Sequence, residues 1–229
     1  MVRAALDAGA ELEVLYASPE ADNGCADVIR RAEVAGVPVH RLDAKAFERI
    51  SDVVTPQPLL AVARRRDLSL SSLAGADLVV VGVDVRDPGN AGTLIRSAEA
   101  AGAGGIVFCR GSVDATNPKT VRASAGAIFH VPVVEGGDSE EVLAVLGGQG
   151  LTRLGALPRG GTAPADLDLT RPVALVLGNE AWGLPDRVLP YLDESVTIPM
   201  PGRAESINLA MAASVLLYEA CRQRQSGLS

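Results

Sequence analysis

The segment Ile198-Pro-Met-Pro-Gly-Arg-Ala-Glu-Ser206-Ile-Asn208-Leu-Ala-Met-Ala-Ala213 joins a short apolar strand to a long apolar helix through a turn rich in proline and glycine. Ser206 and Asn208 lie at the entrance to that helix, where polar side chains commonly cap free backbone N–H groups. A helix N-terminus that follows a strand is also a place where backbone N–H groups bind small ligands. The segment therefore predicts either an ordinary helix cap or a ligand-binding loop.

Two further segments favour the second interpretation: Asp87-Pro-Gly-Asn90-Ala-Gly92-Thr-Leu-Ile-Arg96 and Leu177-Gly178-Asn-Glu180-Ala-Trp-Gly183. In this order, the three segments resemble the three motifs of the SpoU (TrmH-type) branch of the SPOUT RNA 2'-O-methyltransferases. Those motifs read Asn-x-Gly-x-x-x-Arg, then Gly-x-Glu-x-x-Gly, then Ile-Pro-Met followed by Ser-Leu-Asn-Val. Ile207 and Leu209 replace the usual Leu and Val of the third motif. Each motif is weak alone, but the combination is specific.

The composition predicts a two-domain protein whose core is built from small aliphatic side chains. The chain has 229 residues, of which 48% are hydrophobic and only 3% aromatic. We find neither an apolar run of the roughly 18 residues that a membrane span requires nor a signal peptide, which favours a cytoplasmic protein with no membrane partner. The three cysteines are widely spaced, which predicts reduced thiols and no metal site.

The order of predicted elements indicates two α/β units. Residues 1–66 are predicted as a small α/β unit with a mainly parallel or mixed sheet, 67–75 as a linker, and 76–229 as a domain of alternating strands and helices. The pattern of the second domain includes helices over 90–101, 118–128 and 205–224 and a last strand over 196–199. Pattern alone predicts a mainly parallel, Rossmann-like sheet for it.

The resemblance implies a more specific architecture than the pattern does. The second domain is expected to be an α/β-knot (SPOUT) methyltransferase domain, in which the C-terminal segment threads through a loop as a deep trefoil knot. The first unit resembles the L30e-like substrate-binding domain of the family. That domain normally opens with an additional helix and strand, so we expect either a trimmed domain or a start inside a longer protein.

The implied reaction needs positioning more than it needs reactive side chains. Methyl transfer from a sulfonium donor to a ribose 2'-hydroxyl is an in-line displacement that requires alignment, a polarised hydroxyl and the exclusion of water. It requires neither a metal nor a covalent nucleophile, and the two histidines, His40 and His130, form no motif with cysteine. The resemblance implies S-adenosyl-L-methionine as the cofactor, RNA as the substrate and a homodimer packed through the last helix.

The resemblance also places five polar residues at the reaction centre, namely Arg96, Asn90, Glu180, Ser206 and Asn208. The matching arginine of the family is proposed to activate the hydroxyl, but a free guanidinium keeps its proton. We therefore expect Arg96 to orient a phosphate and to stabilise the developing alkoxide. Gly92, four residues earlier, is expected to leave space beside it. Asn90 could instead be only a helix cap, and Glu180 could pair with Arg96, receive a proton or be a solvated carboxylate.

The donor pocket is implied at seven small or aliphatic positions. They are Ala156, Leu157, Gly178, Ile198, Met200, Ile207 and Leu209. The family holds the adenine largely through backbone groups, which suits residues without charge. Trp182, the only tryptophan, is predicted to anchor its turn by packing, with stacking on a base or on adenine as the alternative.

The charge of the chain is unusual for a protein that binds RNA. Lys and Arg number 21 and Asp and Glu number 28, which gives a net charge of −7, whereas RNA-binding proteins usually carry a basic patch. Five basic residues are candidates for RNA contacts, namely Arg64, Arg65, Arg66, Lys119 and Arg122. For the first three the alternative is a solvated linker, and for the last two it is a solvated helix face.

The sequence therefore predicts S-adenosylmethionine-dependent methylation of a ribose 2'-hydroxyl in RNA, and the L30e-like unit favours ribosomal RNA. Two alternatives stay open, a transfer RNA methyltransferase and a non-catalytic RNA-binding relative. A nucleotide-dependent oxidoreductase is disfavoured because no Gly-x-Gly-x-x-Gly segment follows a predicted strand.

Overall fold

The computed structural model describes residues 1–51 and 55–226, and these fold into two compact units. The first unit is Met1–Arg66 and the second is Asp67–Ser229, of which residues 227–229 lie outside the described part. Each unit has a hydrophobic core of its own.

In residues 1–51 and 55–66, the first unit contains a mixed three-stranded sheet, three α-helices and a short 3-10 helix (Pro19–Asn23). β1 (Leu12–Ala17) lies in the centre, β2 (Val39–Arg41) pairs with it in parallel, and β3 (Leu59–Ala63) pairs with it in antiparallel fashion. The helices are α1 (Val2–Asp7), α2 (Ala26–Val34) and α3 (Ala44–Ile50).

Helix α3 was missed by the sequence-based prediction. Phe47 is its only buried side chain, so the segment has no apolar face that repeats every 3.6 residues. The sequence does contain one signal for this helix, the N-cap residue Asp43. Its carboxylate accepts a hydrogen bond from the Ala46 N–H at 2.8 Å. A short helix with one apolar anchor thus depends on tertiary packing rather than on its own pattern.

The second unit is built on a six-stranded parallel sheet, which confirms the predicted α/β class. The strand order is β6-β5-β4-β8-β7-β9. The strands are β4 (Leu78–Gly82), β5 (Gly105–Phe108), β6 (Val133–Glu135), β7 (Thr152–Ala156), β8 (Val173–Leu177) and β9 (Glu194–Val196). The trefoil knot stays a prediction.

Helices cover both faces of this sheet. They are α4 (Pro88–Ala100), α5 (Pro118–Ala123), α6 (Ser139–Gly148) and α7 (Leu209–Ser226). Alternate side chains of β4 enter two separate cores, with Leu78 and Val80 on the side of α4 and α7, and Val79 and Val81 on the side of α6. Burial on both faces explains the continuous apolar runs of the central strands.

Residues 67–75, predicted as a linker, lie within the second unit. Leu70–Leu73 forms a short 3-10 helix that begins with a capping box between Ser69 and Ser72. Leu73 is buried against the core that contains α6. The polar composition of this segment therefore reflects an exposed turn anchored by one leucine.

Four predicted element boundaries were wrong. Helix α4 begins at Pro88 and is capped by Asp87, α7 begins only at Leu209, and β9 ends at Val196. Helix α5 ends at Ala123 rather than at residue 128, because Ala125 and Gly126 have φ angles of 52° and 103°. Left-handed residues interrupt the helical ladder, so only a 3-10 turn follows.

Gly92 lies at the contact between α4 and α5. A methyl group on its Cα would lie 2.4 Å from the Ala123 Cβ and 2.5 Å from the Thr120 carbonyl oxygen. The prediction that Gly92 leaves open space beside Arg96 was therefore wrong, because α5 fills that space. The glycine instead permits the close approach of two helices.

We expect Gly92→Ala to lower the free energy of unfolding by about 1–3 kcal/mol, the typical cost of overpacking, despite the better helix propensity of alanine. Urea unfolding measures this change. Gly148→Ala is the matched control, since Gly148 also lies in a helix and a Cβ there would meet nothing within 4 Å. Equal stability of the two variants would contradict the packing argument.

Candidate functional site

The loops that carry the three motifs follow neighbouring parallel strands of the second unit. β4, β8, β7 and β9 are adjacent in the sheet and point in the same direction. Their carboxyl ends therefore lie along one edge, which is where ligands bind in open α/β sheets. Motifs that are far apart in the sequence thus meet at one edge of the sheet.

The Glu180 carboxylate ties the loop after β8 to the start of α4. Its Oε1 accepts hydrogen bonds from the Asp87 N–H at 3.2 Å and from the Asn90 Nδ2 at 3.1 Å, and its Oε2 accepts one from the Arg86 N–H at 3.4 Å. The side chain is exposed, and Arg96 is not among its partners. The positive end of the α4 dipole lies beside this carboxylate.

Asn90 connects the first and third motifs. Its Nδ2 donates to Glu180, and its Oδ1 accepts a hydrogen bond from the Asn208 Nδ2 at 2.9 Å. Asn90 is not the cap of its helix, because the Asp87 carboxylate caps α4 by accepting from the Asn90 N–H at 2.7 Å. The amide side chain is therefore available to join Glu180 and Asn208 in one hydrogen-bonded chain.

Asn208 caps α7 and at the same time reaches α4. Its Oδ1 accepts from the Ala210 N–H at 2.9 Å and from the Met211 N–H at 3.3 Å. The Asn208 side chain therefore caps α7 through its Oδ1 and contacts Asn90 through its Nδ2 at the same time. Ser206, two residues earlier, is exposed and makes no hydrogen bond within residues 1–51 and 55–226.

Arg96 projects from α4 as an exposed guanidinium. It has no hydrogen bond or ion pair with any residue of the described part of the chain. The neighbouring Ser97 hydroxyl lies 2.8 Å from the Ser214 hydroxyl of α7. Arg96 therefore lies next to the contact between α4 and α7, and its five N–H donors are free for an anionic ligand.

The loops after β7 and β9 are joined to each other. The Leu157 N–H donates to the Val196 carbonyl at 2.9 Å, and the Thr197 hydroxyl donates to the Leu157 carbonyl at 3.0 Å. Ala156, Ile198 and Leu209 are half-buried on the same core. These three aliphatic side chains come from the end of β7, the segment after β9 and the start of α7.

The segment 198–207 joins β9 to α7 and is largely exposed. In the described ranges, no N–H or C=O of this segment is hydrogen-bonded to another part of the chain. Met200 is half-buried and Ile207 is exposed. Unpaired backbone groups between aliphatic side chains suit a ligand that combines a flat apolar surface with hydrogen-bonding edges.

Gly178 lies against the backbone of Gly183, since a Cβ on Gly178 would lie 2.1 Å from the Gly183 carbonyl carbon. The turn that follows is closed by two hydrogen bonds of 2.9 Å between the backbones of Asn179 and Gly183. Asn179 is buried, and its side chain donates to the Asp84 carbonyl at 2.7 Å and accepts from the Ala181 N–H at 2.8 Å. Asn179 was missed from the sequence, although a polar residue directly after an all-apolar strand is a recognisable signal.

Trp182 does not anchor its turn by packing, so that prediction was wrong. Its side chain is 57% exposed, and the guanidinium carbon of Arg86 lies 5.2 Å from the ring centroid. A cation at this distance over an indole face is attracted by the ring quadrupole. Arg86, like Asn179, was missed as a candidate from the sequence.

The five basic candidates for RNA contacts differ in their surroundings. In the first unit, Arg64 forms ion pairs with Glu11 and Glu13, each at 3.4 Å, so acidic neighbours partly offset its charge. Arg65 and Arg66 are exposed and also have interaction partners. In the second unit, Lys119 and Arg122 are exposed on α5, and Arg122 has a partner as well.

Cys109, directly after β5, is a buried thiol. Burial, with the nearby Asp84 carboxylate as a smaller cause, raises the pKa of the Cys109 thiol after β5 to about 12. The thiol therefore stays protonated near neutral pH and is a poor nucleophile. In residues 1–51 and 55–226, no group of three His, Cys, Asp or Glu side chains could hold a metal ion.

Comparison with known proteins places this site in a family. Residues 77–218 match the SpoU rRNA Methylase family, and residues 1–68 match the description RNA 2'-O ribose methyltransferase substrate binding. The chain belongs to the SpoU rRNA methylase family. It is an RNA ribose 2'-O-methyltransferase, and its methyl donor is S-adenosyl-L-methionine.

Relatives of this SpoU protein cover most of the chain. The 23S rRNA (guanosine(2553)-2'-O)-methyltransferase RlmP of Bacillus subtilis (strain 168) is 34% identical over 80% of this chain and 72% of its own. The 23S rRNA (uridine(2479)-2'-O)-methyltransferase of Streptomyces viridochromogenes is 40% identical over 61% of this chain and 50% of its own.

A solved structure of the family carries the donor. The AdoMet-bound rRNA methyltransferase from Sinorhizobium meliloti superposes with a TM-score of 0.83 and 31% identity, covering 96% of this chain and 84% of its own. The residues of this SpoU protein fit such a donor, since the apolar strand ends and the unpaired backbone of 198–207 suit an adenine ring. No helix of the described part is long and apolar enough to cross a membrane.

Proposed function

We propose that this SpoU protein methylates a ribose 2'-hydroxyl of ribosomal RNA in the cytoplasm. The observation that carries the proposal is the chain of hydrogen bonds Glu180–Asn90–Asn208, which joins the three motifs, with Arg96 of the first motif unpaired in the part of the chain that the structure describes. Both curated relatives described above bear the names of 23S rRNA methyltransferases. A substrate-binding match over residues 1–68 supports a folded RNA rather than a mononucleotide as the substrate.

Each polar residue has a distinct role in the proposed mechanism. Bound S-adenosyl-L-methionine supplies an electrophilic methyl group, and Ala156, Leu157, Gly178, Ile198, Met200, Ile207 and Leu209 would hold it. Asn90 and Asn208 are positioning residues, because each has its amide fixed by the other and by Glu180 or α7. Ser206 is free to donate a hydrogen bond to the ribose or to a phosphate.

Arg96 is proposed to stabilise the oxygen that attacks. A guanidinium offers only hydrogen-bond donors, so Arg96 acts as a fork of donors to the phosphate beside the target ribose and to the developing alkoxide. Glu180 already accepts three hydrogen bonds and therefore orients Asn90 rather than removing the proton. The proton of the 2'-hydroxyl leaves to water or to that phosphate.

The activity is tested with tritiated S-adenosylmethionine and transcripts of 23S ribosomal RNA, 16S ribosomal RNA and transfer RNA. We expect label to enter 23S RNA and to be recovered as a 2'-O-methylated nucleoside after digestion. Label in transfer RNA alone would show that the substrate is transfer RNA and not ribosomal RNA. Label in a base instead of the ribose would contradict the assigned reaction.

We further propose that the protein is a homodimer through α7. One stripe of this helix and the residues before it is apolar and exposed, with Ile207, Met211, Val215 and Tyr218 at helical spacing and with Met211 62% and Tyr218 72% exposed. A stripe of large apolar side chains usually marks a protein interface. Because Ser97 contacts Ser214 of α7, a second copy on this stripe would lie close to Arg96.

We expect the double variant Val215→Glu, Tyr218→Glu to be monomeric at micromolar concentration, because a dimer would bury four uncompensated carboxylates. Sedimentation velocity measures the change from a dimeric parent. Val145→Glu is the control, since Val145 is an exposed apolar residue of similar size on α6, and it should leave the dimer intact. A monomeric parent protein would refute the assembly.

A further inference from the structure

An exposed indole with a cation over its ring lies at the margin of the candidate active site. Trp182 and Arg86 belong to two different loops, the turn after β8 and the loop between β4 and α4. Solvent-exposed tryptophans are uncommon, and this one is more than half exposed while the guanidinium of Arg86 lies 5.2 Å from its centroid. Neither residue has a role in the mechanism described above.

The two loops hold this pair in place. The backbone of Arg86 donates to Glu180, and the turn that carries Trp182 is closed by the paired backbones of Asn179 and Gly183. The Asn179 side chain joins the two loops by donating to the Asp84 carbonyl at 2.7 Å. A tryptophan on a turn that is held by hydrogen bonds loses little conformational freedom when a ligand binds. Most of the stacking energy therefore contributes to the affinity for that ligand.

The pair also lies close to the reaction centre. Trp182 is two residues from Glu180, and Arg86 is four residues from Asn90 and adjacent to the Asp87 cap of α4. Glu180 accepts hydrogen bonds from Arg86, Asp87 and Asn90 together. A ligand stacked on the indole would therefore lie near a ribose held by Asn90 and Arg96.

We propose that Trp182, backed by Arg86, stacks on an unpaired nucleobase of the RNA substrate next to the methylated nucleotide. Every base has a π-face, and stacking on aromatic side chains is a general way of holding single-stranded RNA. Arg86 adds a positive charge that attracts the phosphates on either side of the base. RNA is favoured over the adenine of the methyl donor, because Arg86 beside the indole attracts phosphate groups, which S-adenosylmethionine lacks.

This inference rests on the proposed function, because it assumes that the RNA approaches the site at Asn90 and Arg96. Stacking would also supply affinity for RNA in a protein whose net charge is negative. With a net charge of −7, phosphate contacts alone are a weak source of affinity, whereas stacking does not depend on net charge. The base would be splayed out of its helix, as sequence-selective RNA recognition commonly requires.

Trp182 is the only tryptophan of the chain, so its fluorescence reports this site alone. The full chain is titrated with a 12-nucleotide oligoadenylate, with inorganic polyphosphate and with S-adenosylmethionine. We expect saturable quenching by the oligoadenylate and little by the other two. Quenching by S-adenosylmethionine alone would show that the ring stacks on the donor, and a signal that changes only on dilution of the protein would show a subunit contact; either result overturns the proposal.

Variants are compared through the anisotropy of fluorescein-labelled oligoadenylate. Trp182→Ala is expected to weaken binding about tenfold or more, and Trp182→Phe by less, since an aromatic ring remains. Leu189→Ala is the matched control, because Leu189 is another exposed apolar residue of the second unit. Unchanged affinity of Trp182→Ala, with an unaltered unfolding midpoint, would refute the role in stacking.

The test separates this inference from the proposed function. If no RNA is methylated but the oligoadenylate still quenches Trp182, the proposed reaction fails and the stacking site stands. If 23S RNA is methylated with equal KM and kcat by the parent and by Trp182→Ala, the reaction stands and the stacking site fails. A raised KM for RNA with unchanged affinity for S-adenosylmethionine is the result expected from both proposals together.

Discussion

Replacement of Arg96 by alanine is expected to lower the rate of methyl transfer to RNA by about 100- to 1,000-fold, the usual cost of removing one donor to a developing oxyanion. Arg96 is exposed and unpaired in the described part of the chain, so its loss leaves no buried partner without a contact. The fold should therefore be unaffected. Single-turnover kinetics with saturating RNA measure the chemical step directly.

Binding of the donor should be unchanged in Arg96→Ala, because the implied donor positions lie at or after the ends of β7, β8 and β9 and at the start of α7 rather than on α4. Calorimetric titration with S-adenosylmethionine tests this. Arg96→Lys keeps the charge but loses the planar fork, so we expect an intermediate rate. A lysine variant as active as the parent would mean that charge alone suffices.

Arg110→Ala is the control for the loss of one positive charge. Arg110 is exposed on the same unit and pairs with Asp138 at 2.8 Å, away from the three motifs in the sequence. Its removal should change the rate by less than about threefold, since surface ion pairs contribute little. If Arg96→Ala retained activity comparable to Arg110→Ala, the assignment of Arg96 to catalysis would be wrong.

The sheet of the second unit was largely predictable from the sequence. The runs Leu78–Gly82 and Val173–Leu177 are apolar throughout, as strands buried on both faces must be, and both are strands in the structure. The motifs follow such strands or begin the next helix. Parallel pairing then brings their carboxyl ends to one edge without further information.

The contacts inside the site were not predictable to the same extent. Asn90 was a candidate cap, yet the preceding Asp87-Pro88 pair satisfies the cap and the first helical position better, which frees the Asn90 amide. Its bond to Asn208 joins residues 118 positions apart. Such a bond depends on the packing of α4 against α7, which no local pattern encodes.

The exposure of Trp182 was also not predictable from the sequence. A lone tryptophan in a chain with 3% aromatic residues was expected to pack under its turn, because large apolar side chains are usually covered. The turn is instead held by the buried Asn179, which satisfies backbone groups on both sides. With a polar residue bracing the turn, the indole is free to face solvent and Arg86.

Gly178→Ala is expected to abolish methyl transfer by displacing the second motif. A Cβ at this position would lie 2.1 Å from the Gly183 carbonyl carbon and 2.3 Å from the Leu184 nitrogen. Both are backbone atoms, held by the paired hydrogen bonds between Asn179 and Gly183, so no side chain can rotate away. The turn must therefore open, and Glu180 must leave its partners at the start of α4.

The expected result for Gly178→Ala is a loss of about 1–3 kcal/mol in the free energy of unfolding, typical of overpacking, together with donor binding weakened more than tenfold. Thermal unfolding and calorimetric titration with S-adenosylmethionine measure the two effects. Gly24→Ala is the control, because a Cβ there meets nothing within 4 Å and the backbone is not left-handed. Glu180, in the same turn, accepts three hydrogen bonds that hold Arg86, Asp87 and Asn90. A variant that bound S-adenosylmethionine normally yet lost methyl transfer would therefore contradict the role of the turn in donor binding and show that it serves only the RNA side of the site.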